Sequence, residues 1–166
     1  MKGANIWVEV DLDQMQENLR LIKEQARPAK VCCVIKANAY GHGSVRVAKA
    51  LQKEADYFAV ANMNEAVELI EQGITAPILC MGYVDPSQYD RMTKYDVEIP
   101  MYDVEQAKQL SETMVNAGKV CKIHIKVDTA MRRLGFQTTD ENVDKVEEIS
   151  KLPGLKITGI FTHFAC

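Results

Sequence analysis

A lysine stands directly after a short apolar run, at Lys36. Residues 31–35 read Val-Cys-Cys-Val-Ile, and the lysine is followed by Ala-Asn-Ala-Tyr-Gly-His-Gly. If the run is a strand of a parallel sheet, the lysine lies at the edge where such sheets bind ligands. Apolar surroundings disfavour an ammonium ion, so we expect an amine that can act as a nucleophile or base. Lysines of this kind form Schiff bases with carbonyl compounds, pyridoxal phosphate among them. The alternative is a lysine that extends its ammonium group into solvent.

The residues after this lysine could bind a phosphate. Tyr40 can offer a hydroxyl group, while Gly41 and Gly43 allow the backbone to approach a ligand closely. A helix that begins at Ser44 would place a phosphate favourably at its N-terminus. In the alternative reading, Tyr40 is a packing residue and the glycines form a turn. We interpret His42 as a polar loop residue.

A second chemical segment, residues 126–136, follows another strand-like run. Arg133 supplies a planar donor pair that suits a carboxylate or phenolate oxygen, and Arg132 is the competing candidate. Alternation along the run predicts that Lys126 points to the same side as His124. The alternatives are a solvated loop arginine and a Lys126 that pairs with an acid such as Asp128.

A histidine ends a third strand-like run, at His163. It could stack on a planar ring or form a hydrogen bond with a cofactor edge. A structural histidine with satisfied hydrogen bonds is an equally good interpretation of this position alone.

Short apolar runs alternate with helical patterns along the chain. Apolar strands that each lead into a helix predict a parallel α/β sheet covered on its faces, either a doubly wound open sheet or a (β/α)8 TIM-type barrel. We predict N-caps at Ser44, Asn64, Asp85, Asp103 and Asp140, and a left-handed residue at Gly73. The six predicted strands are residues 31–35, 57–60, 77–81, 97–101, 121–127 and 156–161.

The last run continues to Cys166 with no helix after it. A barrel needs eight strands and typically about 250 residues. We therefore expect an incomplete barrel of about six βα units, cut before closure. The alternative is an open six-stranded sheet that ends on its last strand.

Composition excludes several classes of function. The net charge is -3 and no basic stripe occurs, so nucleic acid and anionic membrane surfaces are poor partners. The opening residues lack a signal-peptide pattern, and the five cysteines form no CxxC pair. We expect reduced core thiols and a cytoplasmic protein. Metal binding by the cysteines is the weaker alternative, and we predict no metal site.

Four stretches together resemble the alanine racemase family. Residues 34–43, Val-Ile-Lys-Ala-Asn-Ala-Tyr-Gly-His-Gly, closely resemble its pyridoxal-phosphate attachment signature. Residues 7–13 are similar to the opening of the family, residues 127–135 to its Met-Arg loop, and residues 162–165 to its next landmark. The order and spacing of all four agree, so the resemblance covers essentially the whole chain.

The resemblance implies a (β/α)8 barrel domain, of which residues 1–166 are the N-terminal part, with pyridoxal 5'-phosphate at its C-terminal face. It implies that Lys36 holds the cofactor and acts as one of two catalytic bases, and that Tyr40 contacts the phosphate. Arg133 would orient the cofactor phenolate and the substrate carboxylate, and His163 would lie against the pyridine ring. Lys126 matches a position that is carbamylated in many members. Ala130 and Arg132 depart from the glycines common in the family's loop.

The implied activity is interconversion of L- and D-alanine for cell-wall peptidoglycan by a homodimer acting on a small amino acid. The second base of the family is a tyrosine from a C-terminal β domain of the partner subunit, so we expect the 166 residues alone to be inactive. Alternatives are a serine, lysine or broad-specificity racemase and a non-catalytic pyridoxal-phosphate-binding protein. An incomplete barrel could also self-associate through its unpaired strand edges.

Overall fold

The structure, a computed structural model, describes residues 6–165. Six strands alternate with helices, and each of the six predicted runs coincides with one strand, the last strand extending one residue beyond its run at each end. The strands are β1 (Cys32–Val34), β2 (Tyr57–Val60), β3 (Ile78–Cys80), β4 (Ile99–Met101), β5 (Cys121–Val127) and β6 (Leu155–Thr162). The helices are α1 (Leu12–Ala26), α2 (Lys36–Tyr40), α3 (Ser44–Leu51), α4 (Met63–Glu71), α5 (Tyr89–Met92), α6 (Val104–Asn116) and α7 (Asp140–Ser150), with a 3-10 turn at Pro86–Gln88.

All paired strands are parallel and lie in sequence order. β1, β2 and β3 form one sheet and β4, β5 and β6 a second. The backbone of Glu98 joins the two sheets: its carbonyl accepts from Cys80 N at 2.8 Å, and its N–H donates to Ile78 O at 2.9 Å. A doubly wound sheet reverses its strand order at a switch point. The described strands show no reversal, so the fold is an incomplete barrel of βα units.

The helices pack apolar residues towards the core, most clearly in α4 and α6. In α6 the buried residues Ala107, Leu110 and Met114 recur at the spacing of one helix face. Truncating a buried leucine or methionine of this kind to alanine typically costs about 2–5 kcal/mol. These helix residues and the outward residues of the strands form one continuous core.

The helix starts are only partly as predicted. The N-caps at Asp85 and Asp103 and the positive φ of Gly73 are confirmed. The other three caps lie one or two residues earlier than predicted: Gly43 for Ser44, Asn62 for Asn64 and Thr139 for Asp140. At Asn62 and Thr139 the cap is the polar residue whose backbone is still extended, as at Asn62 with φ -152° and ψ 169°. Gly43 instead has φ 93° and caps without a side-chain hydrogen bond.

A polar cluster lies among the barrel strands, which we name the Glu98 cluster. Glu98 is only 4% exposed, and its carboxylate accepts from Tyr57 Oη at 3.1 Å and Thr158 Oγ1 at 2.8 Å. His124 Nε2 lies 2.6 Å from the same carboxylate. A Cβ on Gly159 would stand 2.7 Å from the His124 ring, so the ring uses the space that this glycine leaves open. Every polar atom of this buried carboxylate thus has a partner.

The cysteines agree only in part with the expected core thiols. The four in the described residues are unpaired, and Cys80 and Cys121 are buried. Burial raises the pKa of the Cys121 thiol to about 12. Cys32 is exposed, contrary to prediction, because alternation on β1 turns it away from the helix layer. Cys166 lies outside the described residues.

Candidate functional site at the C-terminal ends of the strands

Lys36 leaves β1 at the mouth of the incomplete barrel. Ile35, just before it, is buried and donates its N–H to Ala59 O of β2 at 2.9 Å. The lysine itself is half-buried. The sheet therefore fixes the backbone up to Lys36, and the side chain begins where the strand pairing ends.

The residues after Lys36 form a left-handed turn, which we call the lysine turn (residues 36–43). Ala37, Asn38, Ala39 and Tyr40 have φ values of 51°, 54°, 52° and 55°. Four successive non-glycine residues in this region are unusual, because each costs about 1–2 kcal/mol. Lys36 and Tyr40 are four residues apart on this turn, so both side chains reach the same cavity. The sequence did not indicate this geometry.

Hydrogen bonds within the lysine turn offset its strain. Asn38 Oδ1 accepts from Ser44 N at 2.9 Å, and Asn38 O accepts from Gly43 N at 2.9 Å. The Ser44 N–H, at the helix start where we expected a phosphate to be favoured, is thus already used inside the protein. His42 Nδ1 lies 2.8 Å from Ala39 O, as suits a polar loop residue.

A side chain from another helix also holds the lysine turn. Glu65 of α4 accepts from Ala37 N at 2.8 Å through Oε1 and from Ala61 N at 2.7 Å through Oε2. The sequence analysis missed Glu65, because helical periodicity gave it no role beyond a polar face. The one signal in the sequence was its spacing, because Glu65 stands three residues after Asn62, the N-cap of α4.

Arg133 lies in a loop after β5, which we call the arginine loop (residues 128–136). The loop is closed at its base, where Asp128 N donates to Phe136 O and Phe136 N donates to Lys126 O, both at 2.8 Å. Gly135 has φ 128°, and a Cβ there would meet Asp128 N at 2.6 Å, so the closure requires glycine. Arg133 itself is exposed and lines the same cavity as Lys36.

Two non-glycine residues of the arginine loop have positive φ. Ala130 has φ 93° and Arg132 has φ 53°. Arg132 N donates to Asp128 Oδ1 at 3.0 Å, which supports the second of them. The Arg132 side chain does not line the cavity of Lys36, so of the two competing arginines only Arg133 does.

Lys126 is nearly enclosed beneath the arginine loop, with 5% of its surface exposed. Its Nζ lies 4.5 Å from the centroid of the Phe161 ring, a cation–π contact, and His124 also packs against that ring. The predicted orientation of Lys126 with His124 agrees with these contacts. Burial, and then the charge of Arg133, lower the pKa of Lys126, while Asp128 opposes the shift. Among the described residues Lys126 has no ion pair; the Asp128 carboxylate accepts from Arg132 N instead.

His163 follows β6 and is exposed. The Thr162 and Thr129 hydroxyl groups lie 2.7 Å apart and connect the end of β6 to the arginine loop. All five predicted site residues meet at one cavity of about 380 Å³, within the size range of small-ligand sites. Its lining is Val34, Lys36, Tyr40, Ala61, Met81, Gly82, Lys126, Arg133, Leu134, Phe161, Thr162 and His163.

The cavity is cationic and partly apolar. Two lysines and an arginine line it, and none of the lining residues is acidic. An amine, a phenol hydroxyl and a guanidinium group around an apolar floor suit a small anion with a reactive carbonyl group. Residues 6–165 contain no group of three or more His, Cys, Asp or Glu side chains placed to hold a metal ion. No helix in that range is long and apolar enough to cross a membrane.

Comparison with known proteins gives consistent matches. Residues 10–166 match the family described as alanine racemase, N-terminal domain. The chain is 43% identical to the alanine racemase of Clostridium tetani over 161 residues, which is 96% of this chain and 42% of that protein. Its structure resembles that of the alanine racemase of Clostridium difficile 630 in complex with cycloserine, with a TM-score of 0.93 and 40% identity. The match covers 99% of this chain and 46% of that one.

A histidine racemase from Leuconostoc mesenteroides is also similar in structure, with a TM-score of 0.85 and 27% identity. The match covers 93% of this chain and 42% of that one. The chain thus spans less than half of the length of each of these proteins. The matched part includes the strands that carry the cavity.

Proposed function

We propose, from the premise that this chain belongs to the alanine racemase family, that the protein carrying it interconverts L- and D-alanine with pyridoxal phosphate as cofactor. One observation carries the proposal: the amine of Lys36, the hydroxyl of Tyr40 and the guanidinium group of Arg133 line one cavity without an acidic neighbour. The cofactor and the substrate both bear anionic groups, and this set of donors suits them.

The residues present fit pyridoxal phosphate. Lys36 offers the amine for its aldehyde, Tyr40 a donor for its phosphate, and the exposed ring of His163 a partner for its pyridine face. Arg133 can donate to its phenolate and to the substrate carboxylate. When bound, the cofactor supplies a conjugated ring that accepts electron density from the α-carbon of the substrate.

The residues of this chain would then do three things. Arg133 orients the amino acid by its carboxylate, and the apolar side of the cavity excludes water from the α-carbon. Lys36 Nζ takes the α-proton from one face and returns it to that face. A base on the opposite face must complete the racemisation. We propose that this base comes from outside the residues described here, as the resemblance implies.

We further propose that Lys126 is carbamylated. A carbamate forms only on a neutral amine, and the lowered pKa of this enclosed lysine favours that form. A negative carbamate beneath Arg133 would pair with its guanidinium group and steady it. Intact-protein mass spectrometry with labelled bicarbonate, compared with Lys126→Met, tests this assignment.

We propose that these six units belong to an eight-stranded barrel and that the active protein is a cytoplasmic homodimer that supplies D-alanine for peptidoglycan. The share of each relative that this chain covers supports the first of these statements. Residues 1–166 expressed alone should then show no racemisation. Normal turnover by that segment would contradict the need for a second base from elsewhere.

The decisive experiment is an absorbance titration of the full-length protein with pyridoxal phosphate. We expect the visible band of a lysine-bound cofactor, its loss in Lys36→Ala, and racemisation of L-alanine by the wild type only. A matched control is Lys30→Ala, an exposed lysine before β1. A band without racemisation would instead indicate a non-catalytic binding protein, and no band would contradict the proposal.

A second candidate substrate class is favoured by one observation. A structure similar to this chain is named a histidine racemase, and histidine is a larger substrate than alanine. A panel of L-amino acids tested on the full-length protein separates alanine from larger substrates.

A further inference from the structure

We propose that Glu65 is a positioning residue for Lys36, an inference that rests on the proposed function. Its carboxylate accepts one hydrogen bond from Ala37 N and another from Ala61 N. Ala37 directly follows the lysine, and Ala61 itself lines the cavity. One side chain thus fixes two points of the cavity wall.

The lysine turn needs such support from outside. Its left-handed residues carry a conformational cost, and most of its hydrogen bonds join one part of the turn to another. Those bonds preserve the shape of the turn, and one of them, from Ala39 N to Ile35 O, ties it to the end of the sheet. Glu65 adds an anchor from a second element. The Ala37 N–H, directly after the lysine, donates to Glu65, which binds it from a neighbouring helix.

Glu65 is itself held in place. Its N–H donates to Asn62 Oδ1 at 3.1 Å, so it lies in the first turn of α4, behind the N-cap. A carboxylate there is favoured by the helix dipole. The contact therefore connects the start of α4, the end of β2 and the lysine turn. Without it, Lys36 and Tyr40 would lose their common direction into the cavity.

Glu65→Gln in the full-length protein tests the inference. The amide keeps one acceptor oxygen and presents an NH2 group to the other backbone N–H, which is left without a partner. We expect about tenfold weaker binding of pyridoxal phosphate to the cofactor-free protein, measured by the lysine-bound absorbance band. Glu68→Gln, at an exposed position on the same helix, should bind as the wild type does.

Thermal unfolding of the cofactor-free variants separates positioning from simple stability. If Glu65→Gln lowers the melting temperature but binds the cofactor with wild-type affinity, the residue is structural and the inference is wrong. If Glu65→Gln does not fold, Glu65→Asp replaces it: the shorter carboxylate cannot reach both N–H groups, and wild-type affinity would again overturn the inference. A wild-type protein that shows no lysine-bound band would refute the proposed function instead.

Discussion

The lysine turn and the arginine loop each bring a functional side chain to the same cavity, but they are held in place by different contacts. Both leave a parallel strand, both contain non-glycine residues with positive φ, and both deliver a cationic side chain to one cavity. The lysine turn is bonded along its length and held by Glu65 from a neighbouring helix. The arginine loop is fixed at its base, near Asp128 and Phe136, while the residues around Arg133 are exposed.

The difference matches what each side chain has to do. A lysine that holds a covalent partner and moves a proton needs a fixed direction, since a misplaced reacting group loses much of its rate. An arginine that binds a carboxylate can adjust, because its guanidinium group reaches over several bonds and offers five donors. We therefore expect substitutions in the lysine turn to have larger effects than equivalent ones in the arginine loop.

The largest expected effect is that of Ala39→Val. Ala39 is buried at φ 52°, where a β-branched side chain is both crowded and in a disfavoured backbone region. We expect the free energy of unfolding to fall by about 3 kcal/mol, measured by urea denaturation. Ala130→Val, at an exposed residue with positive φ in the arginine loop, is the matched substitution and should cost clearly less. Equal losses would remove the proposed difference between the two segments.

Lys126, at the base of the arginine loop, gives a pH-dependent effect of intermediate size. Its pKa in the folded protein is lowered from 10.5. At pH values between the lowered pKa and 10.5, the unfolded chain binds more protons than the folded protein, so the free energy of unfolding rises with pH in that window. Below that window the buried ammonium ion carries its full desolvation cost. In carbonate-free buffer at pH 7, we expect Lys126→Met to have a higher melting temperature than the wild type. The difference between the two melting temperatures should become smaller towards pH 10.5. A gap that widens with pH would contradict the burial argument.

The smallest expected effect is that of Ala130→Gly. Glycine has no Cβ and accepts φ 93° without strain, so this change should raise the free energy of unfolding by about 0.5–1 kcal/mol. Ala50→Gly, inside α3, is the control, and it should lose about 1 kcal/mol. Thermal or urea unfolding of both variants measures the pair. A destabilised Ala130→Gly would mean that the loop backbone is not strained.

The sequence predicted the strands, and it predicted that the chemically distinctive residues would meet, for physical reasons. Each apolar run long enough to cross the buried sheet became a strand, as between Cys121 and Val127. Chemically distinctive residues at strand ends, such as Lys36 and His163, had to meet because parallel strands end at one edge. The structure confirms that they line one cavity, while their individual roles stay predictions.

The rest could not be predicted from local sequence. Ala-Asn-Ala-Tyr contains one residue, Asn38, that favours the left-handed region, and by itself the segment suits an ordinary helix. The left-handed conformation of this segment is supported by residues far along the chain, such as Glu65, which accepts from Ala37 N. The Glu98 cluster has the same origin: alternation gave the side to which His124 points but not the carboxylate that it meets.

The Glu98 cluster has a consequence for how the molecule opens. The two sheets join through the backbone of Glu98, and its carboxylate binds Tyr57 in one sheet and Thr158 in the other. Separating the halves would strip this buried carboxylate of its donors, which adds a cost to partial opening. Amide hydrogens on both sides of this junction should therefore exchange with solvent at one common, slow rate, and the six strands should behave as a single cooperative unit.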